Sequence, residues 1–512
     1  MDASGLLTVL AVLLTGATLL PPRVLLDLKI RITRKDKWIF SGTLLFCVYF
    51  LFFNVLKHNG LVLPFPWILG FNERSSLLAV SLLLMVFIAV KLKETKLPKP
   101  SITKLNKEVD LLIKDGNFRD ISYLLNKYCG QLSAYINFKP WYVSLHYWIL
   151  PKNHPFLISL SSKDEMSKFR SFIYEARTKI AGLFPETYKV ADEIEVLLSS
   201  TFKSRGLIDY WSKNYATLGL VLLNSSKKLE SIHREEFIKL LIGNVHSQLY
   251  REMAQSQYIS SSNCYEIDRS NSFLWYLFTD VIICEELNIY APLKEYAVDL
   301  MKKEKSSKSI YNKECYGFID SNKRYSCPIY MSIFLFDMMI REAIDQKLKK
   351  HLFPNYLYHI AMQLLDNIDS VDLKETDAEF PTRNYYLLYE CFSTMSTWID
   401  MIENRKDDSD KYDPYLIIES YGMMTYHLLD SDKISEEKKG YFLSIVLRTL
   451  QSLDHANLEG YAREIGSTIT RLHSFKEESE EHLEVINKLI PIIRADDCLL
   501  LPTIRKYVLS KA

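Results

Sequence analysis

The side chains that carry chemistry in enzymes are all present in this sequence, but not at the spacings of familiar catalytic or metal sites. The eight cysteines stand singly, without a CxxC pair, and the eleven histidines form neither HExxH nor HxH, the spacings typical of redox and zinc sites. Glu478 and His482 share a helix face at i, i+4, but neighbouring glutamates make that face a solvated acidic surface. We therefore predict no metal site and no cofactor, and the catalytic residues stay unknown.

Phosphate-binding and nucleophile-presenting loops are also missing from the sequence. No GxxxxGK[ST], GxGxxG or GxSxG occurs, and the chain has only 16 glycines. The remaining candidates are acids within two apolar segments: Asp280, Glu285, Glu286, Asp337 and Glu342. We expect structural ion pairs with Arg341, and a catalytic carboxylate pair is the alternative. An enzyme remains an open reading, but the residues name no reaction.

Three apolar stretches near the N terminus determine where the rest of the chain is located. Residues 38–56 and 75–90 carry no charge, and residues 6–20 are nearly free of polar side chains. A helix of about 20 apolar residues is what crosses the hydrocarbon core of a bilayer. The sequence thus predicts a transmembrane anchor over residues 1–95, with three spans at about 5–22, 38–56 and 74–91.

The cations between these stretches are distributed unevenly and predict the topology. The residues expected to determine it are Arg23, Lys29, Arg31, Arg34, Lys35 and Lys37 before the second span, and Lys91, Lys93, Lys96 and Lys99 after the third. Only Lys57 and Arg74 lie between the second and third spans. Because cations remain on the cytoplasmic side, we expect an outer N terminus and a cytoplasmic tail. The default is a bacterial inner membrane or a plasma membrane, and the endoplasmic reticulum is the alternative.

The first stretch leaves alternatives open. Its apolar core is short and ends at Pro21 and Pro22, so an interfacial segment, or a signal peptide cleaved near Thr15 and Ala17, competes with a span. In either case the other two spans form a hairpin and the tail stays cytoplasmic. The outer loop 61–71 is too short to span, and we expect Trp67 to anchor it in the headgroup layer. A re-entrant pore element is its alternative.

The tail after the anchor is large and mildly acidic. The first 104 residues hold 13 of the 63 Lys and Arg but only five of the 62 Asp and Glu. The remainder therefore lacks the basic surface that nucleic-acid binding needs, and we expect no nucleic acid as partner. Composition predicts a linker at 96–103, a juxtamembrane helical and aromatic-rich segment at 104–161, a helical domain at 162–403 and a C-terminal helical segment at 412–512, packed on that domain.

Apolar side chains recur at three- and four-residue steps through most of the tail, which predicts an all-α domain. The segments Ser272–Leu287 and Pro328–Leu352 are so apolar that we expect them in its core. Either a compact bundle or a solenoid-like stack of helical pairs fits, because no repeat consensus is visible. One segment differs: the alternation in WYVSLHYWIL is typical of a short β-hairpin near residues 133–160.

These features leave three functional hypotheses from different classes. The first is a membrane-anchored cytoplasmic scaffold or interaction protein, whose partners are the lipid bilayer and either another protein or further copies of this chain. The second is an oligomeric channel or membrane-permeabilising effector with the helical domain as sensor, for which Ser41, Thr43 and Asn54 are the only polar candidates in the second span. The third is an enzyme with an unrecognised site, acting on lipid or nucleotide.

Overall fold

The regular secondary structure of the described residues is helical. The computed structural model describes residues 20–61, 73–150, 176–226, 228–304, 309–313, 315, 318, 323–349, 351–368, 380–405 and 413–469. Within these ranges one isolated antiparallel bridge joins Ile259 to Tyr265, and no sheet occurs. The predicted all-α fold is confirmed.

The helices are numbered here in chain order. Up to residue 225 they are α1 (Pro22–Arg31), α2 (Arg34–Leu51), α3 (Phe53–His58), α4 (Glu73–Lys93), α5 (Ile102–Lys114), α6 (Phe118–Asn137), α7 (Trp141–Ile149), α8 (Lys189–Lys203), α9 (Arg205–Asn214) and α10 (Ala216–Ser225). Further along they are α11 (Ser231–Gly243), α12 (Gln248–Gln255), α13 (Ser272–Thr279), α14 (Ile282–Glu286), α15 (Tyr290–Lys303), α16 (Pro328–Asp345), α17 (Phe353–Asn367), α18 (Arg383–Glu403), α19 (Tyr415–Asp430), α20 (Glu436–His455) and α21 (Glu459–Ile469). Short 3-10 turns occur at Lys99–Ser101, Ile310–Asn312 and Lys323–Ser326.

The chain divides into two compact units. The first comprises Met1–Ile208 and Val221–Leu229, and the second comprises Asp209–Leu220 and Glu230–Ala512. The domain limits suggested by composition, at residues 96–103, 162 and 404–411, stay predictions.

Helices α2 and α4 of the first unit pack side by side, and we call this pair the hairpin. Its seam is formed by Cys47, Phe50 and Leu77. A capping box begins α2, because the Thr33 side chain accepts from the Asp36 amide while Asp36 accepts from the Thr33 amide, which satisfies two backbone donors at the helix start.

One described helix is long and apolar enough to cross a membrane, Ser75–Lys93 within α4. Helix α2 begins with four charged residues, 34–37, so its uncharged part is shorter, and the apolar sequence continues into α3. The first predicted span lies largely outside the described residues. The membrane-spanning role of residues 5–22 and 38–56 thus stays a prediction.

The first unit also contains a small helical layer beside α1. Helices α5, α6 and α8 pack against one another, and α1 packs on α5 and α6. The chain reverses between α5 and α6 at Gly116, whose φ of +69° is readily adopted only by glycine.

The aromatic segment after α6 contradicts one prediction from the sequence. Residues 141–149 form the helix α7 rather than a strand of the expected β-hairpin, and residues 133–137 belong to α6. Pro140 precedes α7, and Val143 and His146 are buried at helical spacing. The apparent alternation misled because most residues of this segment are apolar or aromatic, so a period of two and a helical period fit equally well. Residues 151–160 lie outside the described part.

The second unit is built from two layers of helices, in which each helix from α15 onward packs on the helix two positions along the chain. One layer runs through α11, α15, α17, α19 and α21, and the other through α16, α18 and α20. Neighbours in sequence, such as α17 and α18, join the layers. This pattern is typical of stacked helical pairs. It favours the solenoid-like alternative for this unit.

Two apolar segments of the second unit were expected to form core helices, and only one of them is a single buried helix. Helix α16 is buried on all sides except at Pro328, Glu342 and Asp345, so it is a core helix, as predicted. The segment 272–287 is not one helix: the backbone is extended at Asp280, where α13 ends and α14 follows. The Asp280 carboxylate accepts a hydrogen bond from the Ile282 amide. Such a local side-chain hydrogen bond competes with the backbone bonds that would continue the helix.

Candidate functional site

A fully buried carboxylate lies where the hairpin meets the helical layer. The Asp27 carboxylate of α1 accepts hydrogen bonds from Arg31 Nε at 3.0 Å, from Lys127 Nζ at 2.7 Å and from the Tyr128 hydroxyl. Asp27, Arg31 and Tyr128 have at most 1% of their surface exposed. We call Asp27, Arg31, Lys127 and Tyr128 the junction. Both oxygens of the carboxylate are satisfied, which offsets the cost of burying its charge.

The Arg31 guanidinium also holds the end of α4. A second nitrogen, Nη2, lies 2.8 Å from the Asp27 carboxylate, while Nη1 donates to the Lys91 carbonyl at 2.8 Å and to the Glu94 carbonyl. The last carbonyls of a helix have no partner within the helix, and a cation there also interacts favourably with the helix dipole. One side chain therefore joins α1 and α4, and Asp27 extends the connection to α6.

Ion pairs surround the junction. Three of them link elements distant in sequence: Arg23–Asp120 at 2.8 Å, Lys29–Glu108 at 2.9 Å and Lys91–Asp36 at 3.1 Å. The Lys104 ammonium donates to the Ile32 carbonyl. Most of these side chains keep contact with solvent, and such exposed pairs contribute at most about 1 kcal/mol each.

The electrostatics of the junction indicate a structural contact rather than a reactive one. Burial, followed by the hydrogen bond to Asp27, raises the pKa of the Tyr128 hydroxyl above its usual range. A neutral, donating Tyr128 is what the Asp27 carboxylate needs. The arrangement positions helices and exposes no nucleophile or base.

The cations predicted to determine topology take three different positions. Four of them pair with carboxylates, namely Arg23, Lys29, Arg31 and Lys91. Five are exposed, namely Arg34, Lys35, Lys37, Lys93 and Lys96. The last, Lys99, lies over three aromatic rings. Their effect on topology stays a prediction, but the structure adds a structural role for the paired ones.

Sequence reasoning missed the long-range members of this site. Glu108, Asp120, Lys127 and Tyr128 are 79 to 101 residues away from their partners, and no local pattern signals such pairing. The Asp27–Arg31 pair, by contrast, has the i, i+4 spacing of a helix-face ion pair, which the sequence displays.

The buried acid of α16 in the second unit is also fully partnered. The Asp337 carboxylate accepts from Arg341 Nε at 2.8 Å, from Trp398 Nε1 at 2.7 Å and from the Tyr265 hydroxyl at 2.6 Å. Arg341 donates further to the Asn263 carbonyl at 2.7 Å. The expected pairing with Arg341 is confirmed for Asp337. The carboxylate has no oxygen left free for acid–base work.

A thiol and two carboxylates come together near the end of α16. Ligand atoms of Cys264, Glu342 and Asp345 lie within 4.8 Å of one another. Arg405 already pairs with Asp345, and Gln346 donates to Glu342 at 3.0 Å. Burial raises the pKa of the Cys264 thiol to about 12, so the metal-free thiol is neutral at neutral pH. We therefore assign no metal to these residues.

Comparison with known proteins gives no family to which the chain can be assigned. Neither a known protein family, nor a curated protein, nor a solved structure matches it.

Proposed function

We propose that this protein is a membrane-anchored scaffold, in which the hairpin crosses the bilayer and the helical layers bind a protein partner on the cytoplasmic side. The observation that carries the proposal is the apolar outer surface of the hairpin. The predicted first span, over residues 5–22, would complete a three-span anchor.

The outer faces of the hairpin lack any protein cover in the described part of the chain. Trp38 and Leu45 of α2 are 79% and 71% exposed, and Leu83 of α4 is 64% exposed. Only 17% of the apolar window of α4 is buried, whereas a core helix such as α16 is buried nearly all round. Large contiguous apolar surfaces mark contacts with membranes or partners. Lipid is the occupant that suits the uncharged parts of two helices packed side by side.

The charges at one end of the hairpin support its orientation. Asp36, near the start of α2, pairs with Lys91, near the end of α4, so the cations of 34–37 and 91–96 lie at the same end. Two cation clusters at one end agree with a cytoplasmic location for that end.

The junction would couple the anchor to the helical layer of the first unit. Arg31 bonds the carbonyls at the end of α4, and Asp27 bonds Lys127 and Tyr128 of α6. A buried network with every donor and acceptor satisfied fixes one geometry. The helices after Lys104 would then be held against the membrane rather than tethered by a free linker.

The two-layer second unit suits protein binding. Helices stacked in one direction present a long surface, which solenoid-like proteins use for partners.

The polar groups within the described part of the hairpin are used in helix packing rather than in a channel. The Thr43 hydroxyl donates to the Ile39 carbonyl of its own helix at 2.7 Å, so it does not require a water-filled pore. Cys47 and Ser81 face each other at 4.0 Å in the seam of the hairpin. These polar groups are typical of helix packing in membranes.

Crosslinking of the intact membrane followed by mass spectrometry tests the scaffold role. We expect reproducible crosslinks from lysines of the second unit to one protein, or to a second copy of the chain. The matched control is the same chain crosslinked after solubilisation and dilution, where random crosslinks disappear and a stable partner persists. If no partner persists, the scaffold role is wrong.

The exposed cations at the start of α2 provide a second prediction. Replacing Arg34, Lys35 and Lys37 with Gln removes charge without disturbing the buried Arg31, so we expect a mixed orientation of the hairpin. A fluorescent reporter fused after Ala512, active only in the cytoplasm, should lose a measurable fraction of its signal per molecule.

The matched control for this variant removes three exposed lysines distant from the hairpin, Lys114, Lys189 and Lys203. That chain should keep its full signal. Equal signals from the two triple variants would mean that the cations of 34–37 do not set the orientation.

A further inference from the structure

Three aromatic rings surround the ammonium group of Lys99 in the first unit. The Lys99 Nζ lies 5.8 Å from the ring centroid of Tyr135, 5.5 Å from that of Phe138 and 5.7 Å from that of Tyr188. Phe138 and Tyr188 contact each other edge to face, with centroids 5.6 Å apart. We call these three rings the aromatic cage. Nearly equal distances to three rings place the cation at the centre of their combined attraction.

The backbone around the aromatic cage is fixed by hydrogen bonds and burial. The Leu97 amide donates to the Gln131 side chain at 2.8 Å, and the Tyr135 hydroxyl donates to the Leu97 carbonyl at 3.4 Å. The Leu97 side chain is 1% exposed. Tyr135 is on α6, Phe138 directly follows it, and Tyr188 directly precedes α8. The rings are therefore held by packed helices, while Lys99 itself is exposed and can leave.

Lys99 has no ion pair with a carboxylate among the residues that the structure describes. The interaction with Tyr188, followed by that with Tyr135, raises the pKa of the ammonium group, so it is charged at neutral pH. A primary ammonium retains strong hydration, and the faces of the three rings replace that hydration poorly; the acceptor that Lys99 finds here is the Tyr188 hydroxyl. A quaternary ammonium has no N–H to satisfy and offers methyl groups to the rings, which is why aromatic cages bind choline.

We infer that the aromatic cage is a binding site for the choline headgroup of a phospholipid, and that Lys99 occupies it when no lipid is bound. This inference rests on the proposed membrane anchor. Lys99 lies six residues beyond the end of α4, so a membrane-spanning α4 would bring Lys99 to the headgroup layer. The displaced Lys99 ammonium would then pair with the lipid phosphate, which lies beside the choline in such a headgroup.

The neighbouring helix α7 argues for a lipid as the source of the choline. Trp141 and Trp148 of α7 are 73% and 77% exposed, and Tyr147 is 54% exposed. Arg177 holds the end of α7 through the Ile149 carbonyl at 2.9 Å. Exposed tryptophan and tyrosine rings are enriched at the membrane interface. Phe138 of the aromatic cage directly follows α6, and α7 begins three residues later, so the cage and α7 would face one headgroup layer.

Headgroup binding to the full chain in a choline-free maltoside detergent tests the inference. Glycerophosphocholine is titrated and followed by saturation transfer to its trimethyl protons, with glycerophosphoethanolamine as the matched ligand that lacks only the methyl groups. We expect binding of glycerophosphocholine and at least fivefold weaker binding of its competitor. Equal affinity for the two headgroups overturns the inference.

Variants assign the binding to the aromatic cage. Phe138→Leu and Tyr188→Leu should each weaken the binding of glycerophosphocholine about fivefold or more. Tyr188→Phe keeps the ring and should bind as the wild-type chain does. Trp141→Leu, outside the aromatic cage, should leave the affinity unchanged. Tetramethylammonium, which has no phosphate, should bind Lys99→Gln more tightly than the wild-type chain. Unchanged affinity in Tyr188→Leu, with the helical spectrum intact, overturns the inference.

Two further outcomes separate the alternatives. A trimethyl-lysine peptide that binds the aromatic cage at least tenfold more tightly than glycerophosphocholine overturns the assignment to lipid. Failure of the hairpin to insert into membranes, with headgroup selectivity intact, overturns the proposed anchor but leaves the choline site standing.

Discussion

Asp27→Ala should lower the free energy of unfolding by about 3–5 kcal/mol, because it leaves the buried Arg31 without its carboxylate. Asp27 accepts all of its hydrogen bonds inside the protein, and neither it nor Arg31 has more than 1% exposure. The variant also leaves the Tyr128 hydroxyl without an acceptor. Urea unfolding of the full chain in nonionic detergent, followed by circular dichroism, measures the loss.

Glu108→Ala is the matched control for the junction. Glu108 pairs with Lys29, whose side chain is 67% exposed, so removal of this pair should cost at most about 1 kcal/mol. A double variant, Asp27→Leu with Arg31→Met, removes both buried charges and should be more stable than Asp27→Ala alone. Equal, small losses for Asp27→Ala and Glu108→Ala would mean that the junction contributes no more than a surface pair.

Phe336→Ala should also cost about 3–5 kcal/mol, through the cavity that it leaves in α16. Phe336 is fully buried and the adjacent Leu335 is 2% exposed, so the surrounding helices cannot fill the space without moving. The melting temperature of the variant, measured in the same detergent, should fall by several degrees.

The control for Phe336 is Tyr258→Ala, at a side chain of the second unit that is 77% exposed. It should change stability by less than about 0.5 kcal/mol. A Phe336→Ala chain that melts at the temperature of this control would show that α16 is peripheral to the fold.

The spacing of apolar residues predicts those helices that have one clearly apolar face and residues at their ends that begin or terminate a helix. Helix α18 is an example, because buried side chains recur along Arg383–Glu403 at helical spacing. The nine residues of α7 could not be assigned this way. Their conformation depends on distant contacts, such as His146 Nδ1 with the Ala181 carbonyl at 2.8 Å, and no local pattern records these.

The candidate site was predictable only in part for the same reason. The sequence shows that cations cluster at 23–37 and 91–99, but not that some of them are buried. Arg31 and Arg34 look alike in the sequence, yet the first is enclosed by Asp27 and the carbonyls at the end of α4, and the second is exposed. The aromatic cage likewise depends on Tyr188, 50 residues away from Phe138 along the chain.

Cysteine labelling in sealed, right-side-out membrane vesicles tests the central claim, that the hairpin crosses the bilayer with the helical units on the cytoplasmic side. Asn59→Cys lies at the exposed end of α3, and Ser444→Cys lies on the exposed surface of α20. With the wild-type chain as background, a membrane-impermeant maleimide should label Asn59→Cys in sealed vesicles and Ser444→Cys only after permeabilisation. Labelling of Ser444→Cys in sealed vesicles, or protection of Asn59→Cys until the membrane is opened, would contradict the account.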